Sequence, residues 1–201
     1  MKISTINNSN NLSFKGQRLY PVKLMRILPD KKIKYIDAFF TKMDKSDIEL
    51  AKAISPIWEK ESRFGKTILS GFLDRHLNEI KKTGEDFFMI EVPEAKTPLE
   101  RIKALAVTSQ LSGGTYIDLI QSGSQIKSLE KLKGAGKMIL FGIMKQAQKT
   151  DKTPLILEPT PLSEKWYQKL QFEELSGTHL FMLSESKIEK LIKKLKNEYN
   201  L

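Results

Sequence analysis

Apolar runs bounded by turn-forming residues recur along the chain, and they have the composition of β-strands. The runs cover residues 19–28, 33–40, 86–92, 102–108, 115–120, 154–157, 172–175 and 178–183. Short turns join the third, fourth and fifth runs, which predicts an antiparallel meander. The sixth run follows a helical segment and is expected to lie parallel to the fifth, because a crossover helix returns the chain to the same end of the sheet. The last two runs predict a closing hairpin around Ser176-Gly177.

Apolar residues at helical spacing separate these runs. They predict helices over 66–82, 137–149 and 163–170 and an amphipathic final helix from Ser186. An earlier helix is expected to open at the capping box Ser46-x-x-Glu49 and to break or kink at Pro56. His76 lies on the apolar stripe of its helix, so we interpret it as a partly buried structural residue.

The composition is that of a one-domain globular protein. The chain has 201 residues, of which 40% are hydrophobic, and no apolar run approaches the roughly 20 residues of a membrane-spanning helix. Without cysteine there is neither a disulfide nor a thiol nucleophile, and two separated histidines form no metal-ligand cluster. We therefore expect a cytoplasmic protein with no metal. Residues 1–17 are expected to be a flexible leader, residues 18–184 the domain, and residues 185–201 a C-terminal amphipathic helix packed on it or extending it.

The formal net charge of +10 favours polyanionic partners. The lysines are spread over predicted helices and the C-terminal segment, which is typical of a solvated surface. A small polyanionic cofactor is equally compatible with the excess. The sequence has no RNP-like aromatic strand and no recognisable helix-turn-helix, so we expect no specific nucleic-acid binding.

A basic loop punctuated by glycine, Lys131-Leu132-Lys133-Gly134-Ala135-Gly136, precedes the central helix. A strand, a glycine loop and a helix in this order point backbone N–H groups and the positive end of a helix dipole at a phosphate. The loop is not a dinucleotide fingerprint, since Ile139 stands where the third glycine should be. Gly65-Lys66-Thr67 is not a triphosphate loop either, because position 60 is Lys60 and not glycine. The sequence therefore predicts one phosphate site, at residues 131–136.

Two motifs together resemble a known family. Lys131-x-x-Gly134-x-Gly136 resembles the Arg/Gln-x-x-Gly-x-Gly/Ala pyrophosphate loop of the GNAT superfamily of acyl-CoA-dependent N-acyltransferases. Further along the chain, residues 166–172 (WYQKLQF) resemble the family's aromatic-Tyr-x-Lys-Leu-Gly-Phe signature, with Gln171 in place of its glycine. The family frequently has an asparagine seven positions before the tyrosine, and this chain has Thr160 there. The order of elements from Ile33 to Leu183 also resembles the family fold.

The resemblance implies an α/β (α+β) fold, with a mixed, mostly antiparallel central sheet and helices on both faces. In the family's order the fourth and fifth strands splay apart, and these correspond to the runs at 115–120 and 154–157. Acetyl-CoA is the implied cofactor, with its pantetheine arm on the exposed strand edge and its pyrophosphate on the amides of the loop. Lys127 would add to the charge of the loop lysines. The residues expected at the cofactor are Leu119, Ile120, Gln121, Lys131, Leu132, Lys133, Gly134, Ala135, Gly136 and Lys137.

Acyl transfer to an amine requires a proton for the departing thiolate and a group that accepts a proton from the amine. Tyr167 matches the family's tyrosine, and its phenol is a neutral donor at pH 7. A packing role for this tyrosine is the alternative. Asp118 and Glu158 are the candidate bases, Glu91 is a more distant one, and water alone or ordinary surface carboxylates stay open. His179, on the closing hairpin, is interpreted as structural.

The sequence thus predicts an N-acetyltransferase that transfers acetyl from acetyl-CoA directly to a primary amine of a small molecule or peptide. A GNAT-like module that binds CoA or a partner without chemistry is the second hypothesis, and a basic nucleic-acid-binding protein is the third. We expect a monomer or homodimer that does not bind a membrane.

Overall fold

A computed structural model describes residues 15–61, 68–78, 84–123 and 132–201. The described strands are β1 Gln17–Ile27, β2 Ile33–Lys42, β3 Glu85–Glu91, β4 Ile102–Leu111, β5 Gly114–Ser122, β6 Leu155–Leu157, β7 Glu173–Glu174 and β8 Phe181–Leu183. The helices are α1 Lys45–Glu61, α2 Ile68–Asn78, α3 Pro98–Arg101, α4 Ala135–Lys149, α5 Glu164–Lys169 and α6 Glu185–Tyr199. The predicted leader lies almost wholly outside the described residues, and so do the ends of the helix predicted over 66–82. Short α3 was not predicted.

The eight strands form one sheet in the order β1-β2-β3-β4-β5-β6-β8-β7. Neighbouring strands are antiparallel except β5 and β6, which are parallel because α4 crosses over between them. The predicted meander of β3, β4 and β5 is therefore confirmed, as are the parallel position of β6 and the closing hairpin of β7 and β8. The structure also confirms the predicted fold class.

Helices cover both faces of the sheet because successive strand residues point to opposite sides. On β3, Phe88 and Ile90 pack in the cluster that contains α4 and α6. The alternate residues Phe87 and Met89 pack in a second cluster with α1 and α2. The first face is called the α4 face below, and the second is called the α1 face. The apolar stripe predicted for the final helix is confirmed, since Ile188, Leu191, Leu195 and Tyr199 are buried on the α4 face and Ile192 is partly buried there.

The predicted capping box at Ser46 is wrong. Helix α1 begins at Lys45, two residues earlier than a cap at Ser46 requires, and Asp44 caps it by accepting a hydrogen bond from the Asp47 backbone N–H at 2.9 Å. Asp47 Oδ2 in turn accepts from the Asp44 N–H at 3.1 Å, which completes a reciprocal box. The Ser46 hydroxyl donates to Asp44 Oδ1 and so supports the cap without being the cap itself.

Helix α1 also continues through Pro56, where a break or kink was predicted. Proline has no N–H, so the carbonyl of Lys52, four residues earlier, loses its usual donor. The hydroxyl of buried Ser55 donates to that carbonyl at 2.9 Å and replaces the missing hydrogen bond. Hydrophobic periodicity reveals neither the Asp44 cap nor the Ser55 hydrogen bond.

Within the described residues, no helix is long and apolar enough to cross a membrane.

Candidate functional site

Strands β5 and β6 separate after three residue pairs. The register joins Thr115 to Leu155, Tyr116 to Ile156 and Ile117 to Leu157, where β6 ends. Strand β5 continues beyond Ile117, and on its β6 side no described residue pairs with its residues 119–121. The backbone of residues 119–121 therefore forms an open strand edge beside a gap between the two strands. This is the splay that the sequence predicts.

A β-bulge lies where the strands separate. Thr108 of β4 pairs with Ile117, and the preceding Val107 pairs with Leu119, so Asp118 is an extra residue on β5. Ile117 and Ile120 pack on the α4 face, whereas Leu119 packs on the α1 face. The bulge re-aims β5 at the point where its partner ends. It thereby gives a local reason for the gap.

Helix α4 begins at the same end of β5 with an N-terminus that no side chain caps. Its N-cap residue, Gly134, has φ 96°, a left-handed conformation that favours glycine. The first turn contains no acidic residue, and the Met138 N–H is the first to bond back to the helix, to the Gly134 carbonyl. Within the part of the chain that the structure describes, the N–H groups of Gly134, Ala135, Gly136 and Lys137 have no acceptor. Four such donors and a positive dipole end suit a phosphate.

The amide of Lys133 is not one of these donors, because it already has an acceptor within the protein. It donates to the Met25 carbonyl at 2.8 Å, and the Met25 N–H donates back to the Lys133 carbonyl at 3.0 Å. This isolated bridge fastens the loop to β1. The exposed Lys133 side chain is still positioned at the loop, whereas Lys127 and Lys131 lie outside the described residues. Leu132 is buried and packs on the α4 face.

The signature WYQKLQF forms α5 and its C-terminal cap. The Phe172 N–H bonds to the Tyr167 carbonyl at 3.1 Å and the Gln171 N–H bonds to the Gln168 carbonyl at 2.9 Å. This is a Schellman motif, in which the residue after the helix takes a left-handed conformation. Gln171 does so with φ 68°, which explains physically why the family has glycine there. The replacement of the family's glycine by Gln171 therefore strains the backbone locally, at an exposed position.

The Schellman motif fixes Tyr167 on the α4 face of the sheet. Its ring contacts that of Phe172 edge-on at 5.3 Å between centroids, as the residues joined by this cap commonly do, and Trp166 at 4.7 Å. Tyr167 is 7% exposed, and its hydroxyl has no hydrogen-bond partner among the described residues. Burial raises the pKa of Tyr167 to about 12, so the phenol keeps its proton at neutral pH.

Trp166 lies between the N-terminus of α4 and the end of β5, a contact that the sequence did not predict. A Cβ placed on Gly136 would lie 3.7 Å from the Trp166 indole and 3.9 Å from Ser122 Cβ. These are ordinary contact distances, so this backbone position accepts an alanine, as the family motif does. The half-buried indole thus borders the open strand edge and the four free amides.

The candidate bases Asp118 and Glu158 lie near one another, around Tyr116. Tyr116 pairs with Ile156, so Glu158 follows two residues after its partner, and Asp118 follows two residues after Tyr116 itself. Burial raises the pKa of Tyr116, and the negative charges of Glu158 and Asp118 raise it further. The Ser109 hydroxyl donates to Asp118 Oδ2 at 2.7 Å, and Glu158 is exposed. The structure therefore brings both predicted carboxylates to the point where the strands separate.

Glu91, the more distant candidate, belongs to a structural ion-pair network. Its carboxylate is 1% exposed and accepts from Arg18 Nη2 at 2.5 Å and from Arg101 Nη2 at 3.0 Å. The Thr41 hydroxyl donates to its second oxygen at 3.3 Å. Two guanidinium groups thus occupy this buried carboxylate within the fold. We therefore assign Glu91 to stability. His179 is exposed on the closing hairpin, and the side chain of His76 lies outside the described residues.

The C-terminal helix contacts the glycine loop at residues 132–136, which the sequence also did not predict. A Cβ on Gly134 would lie 2.5 Å from Cε1 and 2.8 Å from Cζ of Tyr199, and closer still to its hydroxyl. Lys137 Nζ lies 2.5 Å from Glu198 Oε1 and 5.9 Å from the centroid of the Tyr199 ring. The spacing of α6 indicates which residues are buried, but not that Tyr199 lies against a glycine far away in the chain.

Solved structures provide the comparisons for this fold, because no family model and no curated protein matches the chain. An acetyltransferase from Exiguobacterium sp. 255-15, described as putative, has 17% identity and a TM-score of 0.54, over 77% of this chain and 98% of its own. The spermidine/spermine N-acetyltransferase of Vibrio cholerae has 11% identity and a TM-score of 0.51, over 76% and 98%. The ribosomal-protein-S18-alanine N-acetyltransferase of Escherichia coli has 14% identity and a TM-score of 0.52, over 73% and 93%.

These likenesses show the fold alone, because the identities are so low. The chain has the fold of GNAT acetyltransferases, and the resemblance predicted from the two motifs is confirmed at that level. Fold does not establish chemistry, so the assignment of activity depends on the splay, the free amides and Tyr167.

Proposed function

We propose that this protein, whose fold is that of GNAT acetyltransferases, binds acetyl-CoA between β5 and β6 and transfers its acetyl group directly to an amine. One observation carries the proposal. Beyond Ile117 and Leu157 the two strands separate, and the gap adjoins the uncapped N-terminus of α4. An open strand edge and an anion site next to each other suit a ligand with an amide-bearing arm and a pyrophosphate.

The residues around the gap fit such a ligand. Backbone groups of Leu119, Ile120 and Gln121 can bond to the amides of the arm as a further strand would. The N–H groups of residues 134–137 can donate to the pyrophosphate, and the side chains of Lys133 and Lys137 add positive charge beside it. Lys131 extends the same basic loop and is proposed as a further phosphate contact. The absence of an acidic residue in the first turn of α4 leaves these donors to an external anion.

Acetyl-CoA supplies a thioester that an amine nitrogen can attack, with the CoA thiol as the leaving group. Tyr167 is proposed to give the departing sulfur a proton, and its raised pKa keeps the phenol neutral, and so able to donate, over the whole physiological range. The amine must lose a proton, and Asp118 and Glu158 at the separation of the strands are the groups proposed to accept it, directly or through water. Their negative charge would also attract a protonated amine to this end of the gap.

The test is a screen of peptides, polyamines and small amines for CoA release, followed by the variant Tyr167→Phe. Phenylalanine keeps the ring contacts with Trp166 and Phe172 and removes only the hydroxyl. General acid catalysis contributes about 100- to 10,000-fold, so turnover should fall by that factor while the Kd for acetyl-CoA changes little. Wild-type turnover in the variant would show that Tyr167 only packs.

The edge-on contacts of Tyr167 favour one second candidate function, a GNAT-like module that binds CoA or a partner without chemistry. These contacts and the burial of the ring are sufficient to explain a packing tyrosine at this position. The two functions differ in one result. A protein that binds acetyl-CoA but releases no CoA with any amine of the screen fits the second candidate.

A further inference from the structure

The C-terminal helix α6 places a carboxylate at the end of α4 that is proposed to bind phosphate. Glu198 Oε1 lies 2.5 Å from Lys137 Nζ, and both side chains are 32% exposed. Lys137 belongs to the first turn of α4, and its backbone N–H is one of the four free donors. The lysine expected to meet a phosphate is therefore already paired with an acid of the same chain.

The position of Glu198 is fixed by its neighbour. Tyr199 is 1% exposed, and its ring and hydroxyl occupy the space that a side chain on Gly134 would need. The hydroxyl of Tyr35 on β2 donates to the Glu198 carbonyl at 3.2 Å, and Lys23 of β1 donates to the Asn200 carbonyl at 2.9 Å. These contacts hold the end of α6 against the loop, so the backbone of Glu198 stays close to Lys137.

We propose that Glu198 is an affinity-determining residue, which occupies Lys137 in the free protein and competes with the phosphates of the ligand. The inference depends on the proposed function, because it concerns the same site. A phosphate that approaches the amides of residues 134–137 meets the negative charge of Glu198 and must displace it from Lys137. Both effects weaken binding relative to a chain in which Lys137 is free.

Tyr199 has the complementary role of a positioning residue. Burial, together with the charge of Glu198 and the phenol of Tyr35, raises the pKa of Tyr199, so the ring stays neutral against the loop. Its packing on Gly134 supports the left-handed conformation that starts α4.

The experiment measures the Kd for acetyl-CoA by titration calorimetry at low salt. Glu198→Gln keeps the size of the side chain and removes its charge, and we expect the Kd to fall by about 2- to 5-fold, the range of a partly exposed ion pair. Glu189→Gln is the matched control, because it makes the same change of net charge at an exposed position of the same helix. Its Kd should stay close to that of the wild type.

A double-mutant cycle separates competition from a general charge effect. In the background Lys137→Gln there is no ion pair to release, so Glu198→Gln should then change the Kd by much less. A wild type that does not bind acetyl-CoA overturns the proposed function. A wild type that binds, together with a Glu198→Gln variant whose Kd is unchanged, raised or matched by the control, overturns this inference and leaves the function standing.

Discussion

Gly136 is the position at which the proposed phosphate site can be blocked without disturbing the fold. It is the second residue of α4, and a Cβ there meets only ordinary contacts with Trp166 and Ser122. In Gly136→Asp the new carboxylate lies near a helix N-terminus, where negative charge stabilises by about 0.3–1 kcal/mol. Replacing a glycine inside a helix is also favourable. The free variant should therefore melt at the wild-type temperature or slightly above it.

Ligand binding should respond in the opposite direction. At 100 times its Kd, acetyl-CoA should stabilise the wild type by about 2.7 kcal/mol, which for a chain of this size raises Tm by roughly 5–10 °C. A carboxylate about 4 Å from a phosphate charge, at an effective dielectric constant of about 20, opposes binding by about 4 kcal/mol. That corresponds to a roughly 1,000-fold loss of affinity. The Tm shift of Gly136→Asp should then vanish at the same ligand concentration.

Thermal melts with and without acetyl-CoA measure this effect, and two controls isolate the charge. Gly136→Ala adds only the Cβ that the structure accommodates, and Gly136→Asn adds the bulk of aspartate without its charge. Both should keep more of the ligand-induced shift than Gly136→Asp. A Gly136→Asp protein with the full wild-type shift would refute the assignment of the phosphate to this end of α4.

Gly134 does not allow the same experiment. Any side chain there would clash with Tyr199, and the residue has φ 96°, where residues other than glycine are strained. Gly134→Ala should therefore lower the stability of the free protein. A loss of binding at this position would not distinguish a damaged site from a damaged fold.

Three further predictions concern stability. The ionisation of Tyr167 should leave the free energy of unfolding unchanged below pH 10, the ordinary pKa of a tyrosine. Between pH 10 and about 12 this free energy should fall by about 3 kcal/mol, because the folded state holds the phenol proton more tightly than the unfolded chain does. Urea unfolding at pH 9 and 11 checks this, and Tyr167→Phe should remove that part of the loss. Gln171→Gly should raise the free energy of unfolding by up to about 1 kcal/mol in urea, since it relieves φ 68° at the cost of a looser unfolded chain, and a loss would contradict the strain argument. Glu91→Gln should lower it by about 1–3 kcal/mol because the partly exposed Arg18 and Arg101 lose a buried counter-charge, whereas exposed Glu94→Gln should change it little; equal effects would contradict the network.

Local patterns predicted most elements of this fold because each depends on residues close in the chain. The spacing of apolar residues indicates α4 and α6, and alternation with turn residues indicates the meander. The two motifs predicted Gly134 and Tyr167, and the structure gives both a local backbone reason, a left-handed N-cap and a Schellman cap. The splay also followed from the resemblance.

The sequence missed features of the structure where a side chain or a distant segment replaced a local rule. Ser55 supplies the hydrogen bond that Pro56 cannot, so α1 does not break. The Lys133 amide bonds to β1, which no spacing between residues 25 and 133 could indicate. For the same reason the contact of Tyr199 with the glycine loop became evident only in the structure. Such contacts between distant residues determine which amides and charges of the site remain available.

The central claim is that one ligand spans the open edge of β5 and the N-terminus of α4. The most direct measurement is two-dimensional NMR of the ¹⁵N-labelled protein as acetyl-CoA is added, which follows each assigned backbone amide. We predict that the largest shift changes fall on residues 119–121 and 134–137, and that the Lys133 amide, bonded to Met25, changes less than its neighbours in the loop. Saturable binding with changes elsewhere and none in these two segments would contradict the account.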